Sequence, residues 1–387
     1  MTGLSSVVVV GASLAGHATA RALRQQGFDG SITLVGEEEH RPYDRPPLSK
    51  EFLLGTLGEE HLGLEAPGED LSAEWVLGVR AIALDPATRT VSLSDGRSIS
   101  GSAVVLATGS TARHWSTPLA GVHTLRTLSD ARRLRAELLT GARLVVVGAG
   151  FIGAEVASSA TLLGLDVTVV EALPTPLYRQ LGAEIGRAVA GLHAAHGVPL
   201  ICGVGVTGLV GRGRVSGVQL ADGRVLPADV VLVAVGADAE VGWLRGSGLD
   251  VAGGVVCDSR GATAAPGVYA VGDCSAWFDP DTGAPRRIEH WTDSRDRPTH
   301  LVRAMLGGDP ARLRAPYFWS DQYGIRIQFA GHRRDTDELV IEEGSAEHAN
   351  LLATWRRDGT VVAVLGLNQM TAFTRHRKTL GRVPVAG

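Results

Sequence analysis

The sequence contains, at residues 144–153, the stretch Leu144-Val145-Val146-Val147-Gly148-Ala149-Gly150-Phe151-Ile152-Gly153. The apolar, β-branched run predicts a buried strand, and the glycines after it predict a tight turn into a helix. A second apolar run, residues 167–170, ends at Glu171, which is 23 positions after Gly148. In such a strand–turn–helix–strand unit, free backbone N–H groups at the start of the helix can bind a pyrophosphate. The spacing is typical of a dinucleotide site, and the Glu171 carboxylate favours NADH because it would repel the 2′-phosphate of NADPH.

The same unit occurs near the N-terminus. Residues 7–10 are all valine and precede Gly11-Ala12-Ser13-Leu14-Ala15-Gly16, and a second apolar run at residues 32–35 leads to Glu37. Ser13 stands where a glycine would allow the closest approach of backbone to phosphate, so its hydroxyl could bond the phosphate instead. One such pattern alone is equally compatible with a tight strand–helix junction. Two patterns, each with a terminal glutamate, favour two bound dinucleotides and hydride transfer between them.

Each unit is followed by hairpin-like residues and by a strand that ends in glycine. Residues 75–99 alternate apolar and polar side chains and predict antiparallel hairpins before the strand 103–107. The hairpin around residues 221–223 and the strand 229–235 repeat that order. From about residue 315 alternating strands and a short terminal helix predict a smaller domain. We therefore predict an α/β fold with two Rossmann-like dinucleotide-binding domains and a C-terminal α+β domain.

Composition excludes several classes of protein. A length of 387 residues predicts two or three domains, and 44% hydrophobic with 20% charged residues excludes global disorder. A net charge of -4 gives no reason to expect nucleic acid as a partner. The three scattered cysteines predict no disulfide scaffold and no metal site. Since the sequence shows neither a membrane-length apolar run nor a signal peptide, we expect a cytoplasmic protein without membrane contact.

Three further segments are unusual in composition: Arg41-Pro42-Tyr43-Asp44-Arg45-Pro46-Pro47-Leu48-Ser49-Lys50, Gly272-Asp273 and Pro316-Tyr317-Phe318-Trp319-Ser320-Asp321-Gln322-Tyr323. With the two glycine units they resemble the NADH-dependent ferredoxin reductases of bacterial oxygenase systems, the putidaredoxin reductase type, within the two-dinucleotide flavoprotein superfamily. The resemblance covers nearly the whole chain. It implies a glutathione-reductase-like arrangement, with FAD on residues 1–115 and 242–314, NADH on residues 116–241, and a C-terminal domain of residues 315–387.

The activity that this resemblance implies is electron transfer. Electrons from NADH would pass via FAD, one at a time, to a two-iron two-sulfur ferredoxin that serves a monooxygenase or dioxygenase. No cysteine pair has redox spacing, so a thiol relay to a disulfide substrate lacks its chemistry. The alternative is a flavoprotein that senses nicotinamide or acts as a binding module, as relatives of apoptosis-inducing factor do.

The resemblance also implies cofactor contacts at individual positions. For the FAD phosphates and adenosine, the resemblance implies contacts of Gly11, Ser13, Ala15 and Gly16 with the pyrophosphate, of Glu37 with the ribose, and of the Ala81 backbone with adenine. Arg45 and Lys50 would lie by the phosphates and flavin, and Thr108 and Gly109 would form a turn over the cofactor. Arg126 matches a flavin position, Asp273 would bind the ribityl chain from the N-terminal end of a following helix, and Trp291 would lie near the ring. For NADH the implied contacts are Gly150, Ile152, Gly153, Glu155, Glu171, Arg179 and Gly236.

Three residues are candidates for the chemistry itself. Lys50 is one of only two lysines, with Lys378, and a compact ammonium could hydrogen-bond the flavin ring. Glu155 could pair with Lys50, and Trp319 would lie over or beside the flavin. The alternatives are a surface lysine, a glutamate that complements the helix dipole, and a core tryptophan.

Overall fold

The computed structural model describes residues 3–309, 313–345 and 348–380. The chain divides into two compact units. Unit 1 comprises Met1–Asp44, Leu62–Thr111 and Asp238–Pro316, and unit 2 comprises Arg45–His61, Ala112–Ala237 and Tyr317–Gly387.

Unit 1 is built on a parallel sheet whose strands are, in spatial order, β19 (Val268–Ala270), β7 (Ala103–Leu106), β1 (Ser6–Val10), β2 (Ser31–Gly36) and β3 (Ala73–Leu77). Each of the valines 7–10 in the central strand is at most 2% exposed. A parallel strand covered on both faces buries both sets of side chains, which explains the uninterrupted valine run. Helix α1 (Leu14–Gln25) follows the first glycine turn and packs against α6 (Trp291–Met305).

Two small sheets complete unit 1. One is antiparallel and contains β4 (Ala81–Asp85), β5 (Thr90–Leu93) and β6 (Ser98–Ser100). The other contains β18 (Val255–Cys257), β20 (Ser275–Asp279) and β21 (Ala284–Arg287). The predicted hairpins therefore begin at residue 81 and not at residue 75, because Trp75 pairs in parallel with Leu34 of the main sheet.

The expectation that Asp273 stands at the N-terminal end of the following helix is wrong. Strand β20 begins at Ser275 and returns as β21, and helix α6 does not begin until Trp291. Burial explains this choice, since Trp277 is 1% exposed and its indole Nε1 donates to the carbonyl of Ala270 at 2.8 Å. A strand places that ring in the core of unit 1.

Unit 2 repeats the central architecture. Its parallel sheet contains, in spatial order, β12 (Leu200–Cys202), β11 (Val167–Glu171), β10 (Leu144–Val147), β16 (Val230–Val233) and β9 (Val122–His123). An antiparallel sheet contains β13 (Val206–Arg212), β14 (Arg214–Leu220) and β15 (Val225–Pro227). The helices are α2 (Glu51–Leu54), α3 (Leu128–Leu138), α4 (Phe151–Leu162) and α5 (Tyr178–Ala195). Two short strands, β8 (Ser110–Ala112) and β17 (Ala237–Ala239), fall where the chain passes between the two units.

The C-terminal part of unit 2 is an antiparallel sheet with one helix, as the alternating pattern predicts. The strands are, in spatial order, β22 (Tyr317–Gln322), β23 (Ile325–Gly331), β26 (Thr360–Leu367), β25 (Asn350–Arg357) and β24 (Glu338–Ser345). Helix α7 (Met370–Arg377) contacts β26, and its Phe373 is 1% exposed. A Cβ at Gly366 would lie 3.1 Å from the Cβ of Phe373, so the glycine lets the helix approach the sheet.

None of the helices within the described residues has the length and apolar character to cross a membrane.

Three histidines are expected to make stability depend on pH; His17 and His193 are buried, and the side chain of His290 is 22% exposed. Burial lowers the pKa of His17, and it lowers the pKa values of His193 and His290 to about 4. Because the pKa of each imidazole is lower in the folded chain than in the unfolded chain, unfolding below about pH 6.5 takes up protons. The free energy of unfolding should therefore be unaffected above pH 6.5 and should fall towards pH 4, by up to about 1.4 kcal/mol per pH unit for each group.

Chemical denaturation between pH 7.5 and 5 measures this slope. His193→Phe should reduce it by about one proton, whereas His61→Gln, which changes a histidine that is 65% exposed, should not. A stability that is constant over this pH range would contradict the expectation.

Candidate functional site

Of the three glycines in the glycine turn of unit 2, only one has open space where a side chain would stand. A Cβ at Gly148 would lie 2.4 Å from the carbonyl oxygen of Ala234, and a Cβ at Gly153 would lie 2.0 Å from that of Gly148. Gly148 also has a φ of +102°. These two glycines are thus required by the packing of the protein itself. Nothing lies within 4 Å of a Cβ at Gly150, so the space there is available to a ligand.

Unit 1 repeats this geometry. A Cβ at Gly11, where φ is +117°, would lie 2.0 Å from the carbonyl oxygen of Ala107, and a Cβ at Gly16 would lie 1.8 Å from that of Gly11. Ser13 has extended backbone immediately before α1, as Gly150 has immediately before α4. The two helices therefore begin in the same way, and each presents its first backbone N–H groups beside a small residue. This arrangement fits a pyrophosphate.

The two predicted glutamates have different partners. Glu37 accepts two hydrogen bonds from the Arg80 guanidinium, at 3.0 and 2.6 Å, and both side chains are more than half exposed. Glu171 accepts from the backbone N–H groups of Ala149 at 2.7 Å and Leu173 at 2.8 Å. The Glu171 carboxylate is thereby fixed against its own glycine turn, at the end of β11.

Asp273, another predicted FAD residue, lies in unit 1 next to a turn that contacts the start of α1. The buried Asp273 accepts hydrogen bonds from Ser110 Oγ and Ser294 Oγ, both at 3.1 Å. A Cβ at Gly272 would lie 2.8 Å from the Cβ of Ala15, so this turn and the start of α1 are in contact.

The remaining predicted residues of unit 1 occupy turns and element ends. Thr108 Oγ1 donates to the carbonyl of Glu240 at 2.7 Å, and the carbonyl of Gly109 accepts from the backbone N–H of Glu240 at 3.0 Å. Ala81 begins β4, directly after Arg80. Trp291 begins α6, and its indole Nε1 donates to Asp44 at 2.6 Å.

Unit 2 contains the other predicted residues. Arg45 donates to the carbonyl of Arg126 at 2.6 Å, which brings these two together. The carbonyl of Gly236 accepts from the backbone N–H of Arg113 at 2.9 Å. Ile152 is 40% exposed in the first turn of α4, and Arg179 is exposed at the start of α5.

Lys50 and Glu155 form a buried ion pair. Lys50 Nζ lies 2.7 Å from Glu155 Oε2, and the side chains are 13% and 5% exposed. The expected pairing is therefore present, and neither residue is an ordinary surface group. Glu155 also accepts from Ser49 Oγ at 2.5 Å and from Ser320 Oγ at 2.8 Å. Sequence reasoning did not assign these two serines, although both stand in the segments that carry the resemblance.

Trp319 is half-buried in β22. Its ring is stacked with that of Tyr317, with 6.0 Å between centroids and 21° between planes. The Arg377 guanidinium lies 4.0 Å from the centroid of Tyr317.

The cysteines have no redox arrangement. Cys202, Cys257 and Cys274 are all free thiols, and burial raises the pKa of each. A thiolate is therefore disfavoured at all three positions. Within residues 3–309, 313–345 and 348–380, no group of three or more His, Cys, Asp or Glu side chains could hold a metal ion.

Comparison with known families identifies the chain. A family model described as pyridine nucleotide-disulphide oxidoreductase matches residues 5–297, and one described as reductase C-terminal matches residues 317–384. The chain belongs to the pyridine nucleotide-disulphide oxidoreductase family. This family membership, together with the C-terminal match, confirms the predicted fold class.

Several relatives of this oxidoreductase are named as ferredoxin–NAD(+) reductase components of dioxygenase systems. The ferredoxin–NAD(+) reductase subunit of the benzene 1,2-dioxygenase system of Pseudomonas putida is 39% identical over 371 residues, which are 95% of this chain and 90% of that protein. The corresponding component of the biphenyl dioxygenase system of Paraburkholderia xenovorans is 36% identical, over 99% of this chain and 95% of that protein.

Solved structures similar to this chain also include ferredoxin reductases. The covalent putidaredoxin reductase–putidaredoxin complex contains a chain with a TM-score of 0.93 and 30% identity, covering 97% of this chain and 92% of that chain. A ferredoxin reductase from Rhodopseudomonas palustris has a TM-score of 0.91 and 33% identity, covering 97% of this chain and 94% of that chain. The resemblance to the putidaredoxin reductase type is thereby confirmed.

Proposed function

We propose that this flavoprotein is an NADH-dependent ferredoxin reductase, whose electrons pass one at a time to a two-iron two-sulfur ferredoxin that serves a monooxygenase or dioxygenase. The observation that carries the proposal is the 39% identity, over 95% of the chain, to a reductase subunit of a dioxygenase system. FAD and NADH are the coenzymes, and the open space at Gly150 and the matching extended backbone at Ser13 support one pyrophosphate site at each glycine turn. Three free cysteines agree with a cytoplasmic site of action, which we include in the proposal.

We assign FAD to residues 1–115 and 242–314. The N–H groups at the start of α1 would hold its pyrophosphate beside Gly11, Ser13, Ala15 and Gly16, and Glu37 would hold the ribose. The ribityl chain is assigned to Asp273, which Ser110 and Ser294 already orient. The other FAD contacts that we assign are Arg45, Lys50, the Ala81 backbone, Thr108, Gly109, Arg126 and Trp291.

We assign NADH to residues 116–241. The open space at Gly150 and the first turn of α4, with Ile152 and Gly153, would hold the pyrophosphate. Glu171 is held by two backbone N–H groups, and a carboxylate can accept further bonds from ribose hydroxyls. Glu155, Arg179 and Gly236 complete the assigned contacts. Residues 315–387 are assigned to the C-terminal domain, which supplies Trp319.

The chain's own residues would bind and orient the reactants. FAD, when bound, supplies the chemistry that accepts a pair of electrons from NADH and releases them singly. Lys50 uses one ammonium donor for Glu155, so it can give another to the flavin ring and stabilise negative charge there. We assign to Trp319 a position beside the ring, where it would exclude water.

Gly150→Ala is expected to weaken NADH binding about tenfold without lowering the melting temperature. The added methyl group meets no protein atom within 4 Å, but it would occupy the space that the pyrophosphate needs. Binding is measured as the NADH dependence of flavin reduction in stopped-flow experiments.

Gly153→Ala is the matched control. Its methyl group would lie 2.0 Å from the carbonyl of Gly148, so this variant should lose stability as well as NADH binding. Unchanged NADH binding in Gly150→Ala would remove this turn from the proposed coenzyme site.

Anaerobic reduction tests the proposed function as a whole. NADH should bleach the yellow protein, and cytochrome c should be reduced only when a two-iron two-sulfur ferredoxin is added. Bleaching without any turnover across a panel of ferredoxins would contradict the reductase function and would support a nicotinamide sensor.

A further inference from the structure

The Glu155 carboxylate is held at both of its oxygen atoms. Lys50 Nζ and Ser49 Oγ lie 2.7 and 2.5 Å from Oε2, whereas Ser320 Oγ lies 2.8 Å from Oε1. All three partners are donors toward it, so the carboxylate acts as an acceptor only. A carboxylate bound at one oxygen can rotate about its Cγ–Cδ bond, but one bound at both has a fixed plane.

Gln322 determines the direction of the Ser320 hydrogen bond. Gln322 Nε2 donates to Ser320 Oγ at 3.1 Å, and both residues have no exposed surface. A serine hydroxyl has a single hydrogen atom. Because Gln322 donates to it, that hydrogen atom is left for Glu155.

A residue needed only for packing would not be an amide here. Gln322 Oε1 is buried and has no hydrogen-bond partner among the residues that the structure describes. A residue that only filled this space would need no amide, and a leucine has a similar size. The amide is therefore accounted for by its donor, which faces Ser320.

The strand that carries Ser320 is anchored along helix α4. The rings of Phe318 and Phe151 have centroids 4.5 Å apart, and the backbone N–H of Tyr323 donates to Ser158 Oγ at 2.8 Å. The Ser320–Glu155 bond lies between these two contacts. Helix and strand thus fix the distance across which the serine reaches the carboxylate.

We propose, resting on the function proposed above, that Ser320 and Gln322 are positioning residues for electron transfer from NADH. Ser320 holds Glu155 in the orientation that presents its other oxygen to Lys50, and Gln322 acts only through Ser320. Neither residue is assigned a contact with FAD or NADH.

A double-mutant cycle tests this order of action. Ser320→Ala and Gln322→Leu should each lower the rate constant of flavin reduction at saturating NADH about tenfold, with the dissociation constant of NADH unchanged. The double variant should be no slower than Ser320→Ala. Thr354→Val removes another buried hydroxyl that donates to a carboxylate of the same sheet, that of Glu342, and should leave the rate constant unchanged.

A second readout is independent of turnover. Protein labelled with ¹³C and ¹⁵N only in lysine gives two side-chain spin systems, because the chain has only Lys50 and Lys378. The two Hε protons of Lys50 should be inequivalent in the wild type, where the ammonium is fixed. In Ser320→Ala and Gln322→Leu they should move towards a common value, and in Thr354→Val they should not.

The outcomes separate the two levels of the proposal. If the wild type is not reduced by NADH, the proposed function fails, while the Lys50 signals still decide whether Ser320 orders the pair. Unchanged Lys50 signals in Ser320→Ala would overturn the positioning role. A double variant about tenfold slower than Ser320→Ala would overturn the action of Gln322 through Ser320.

Discussion

Lys50→Met is expected to slow the reduction of bound FAD by NADH about a hundredfold, while the protein retains its FAD. The Lys50 side chain is 13% exposed, and its ammonium is paired with the carboxylate of Glu155, whose side chain is 5% exposed. Methionine has similar length but no donor and no charge, so it can neither hold Glu155 nor stabilise negative charge on the flavin. Anaerobic stopped-flow absorbance measures the rate constant.

Lys378→Met is the matched control, since it removes the other lysine, which is exposed near the end of α7. In this variant NADH should reduce the bound FAD at the wild-type rate. Lys50→Met also leaves Glu155 as a buried charge, so the variant should lose stability. Lys50→Met/Glu155→Gln removes both charges and should recover stability without recovering the rate. A wild-type rate in Lys50→Met would show that Lys50 has no part in the reaction.

Glu171→Arg is expected to shift the ratio of kcat/KM for NADH over NADPH by about a hundredfold towards NADPH. In the wild type two backbone N–H groups hold the carboxylate at the end of β11, where it can bond the ribose hydroxyls and repel a 2′-phosphate. Arginine would reverse that charge and could pair with the phosphate. Steady-state kinetics with both coenzymes measures the ratio.

Glu171→Gln separates charge from shape. It should weaken the discrimination against NADPH but should not create a preference for it, because the amide neither repels nor attracts a phosphate strongly. If the coenzyme ratio of Glu171→Arg equals that of the wild type, Glu171 does not contact the ribose.

The two dinucleotide units could be predicted from sequence because their signals are local. Valine runs, glycines at fixed offsets and a terminal glutamate all lie within about 30 residues of one another, and each has a direct physical reason. A Cβ at Gly16 or at Gly153 would clash with the carbonyl oxygen of the first glycine of the same turn, which explains why both patterns end in glycine.

The secondary-structure predictions are wrong at two places where the local sequence pattern favours one structure and burial of a tryptophan favours another. Trp75 stands in an alternating stretch that is typical of a hairpin, but it extends the main parallel sheet. The residues after Asp273 form a strand because Trp277 enters the core. In neither case does the short-range pattern contain the information about which distant strand becomes the neighbour.

The partners of Glu155 could not be predicted for a different reason. Ser49 and Ser320 are 106 and 165 residues away from it in sequence, and Gln322 acts through one of them. Single serines and glutamines have no periodic signal, so their roles follow only from the folded geometry. The Lys50–Glu155 pair was expected only because a family resemblance accompanied the residues.

The flavin content of the purified protein tests the central claim most directly. The absorption spectrum, recorded after incubation with FAD and removal of the excess, should give one FAD per chain, and anaerobic NADH should bleach it. A colourless protein that takes up no FAD would contradict the account.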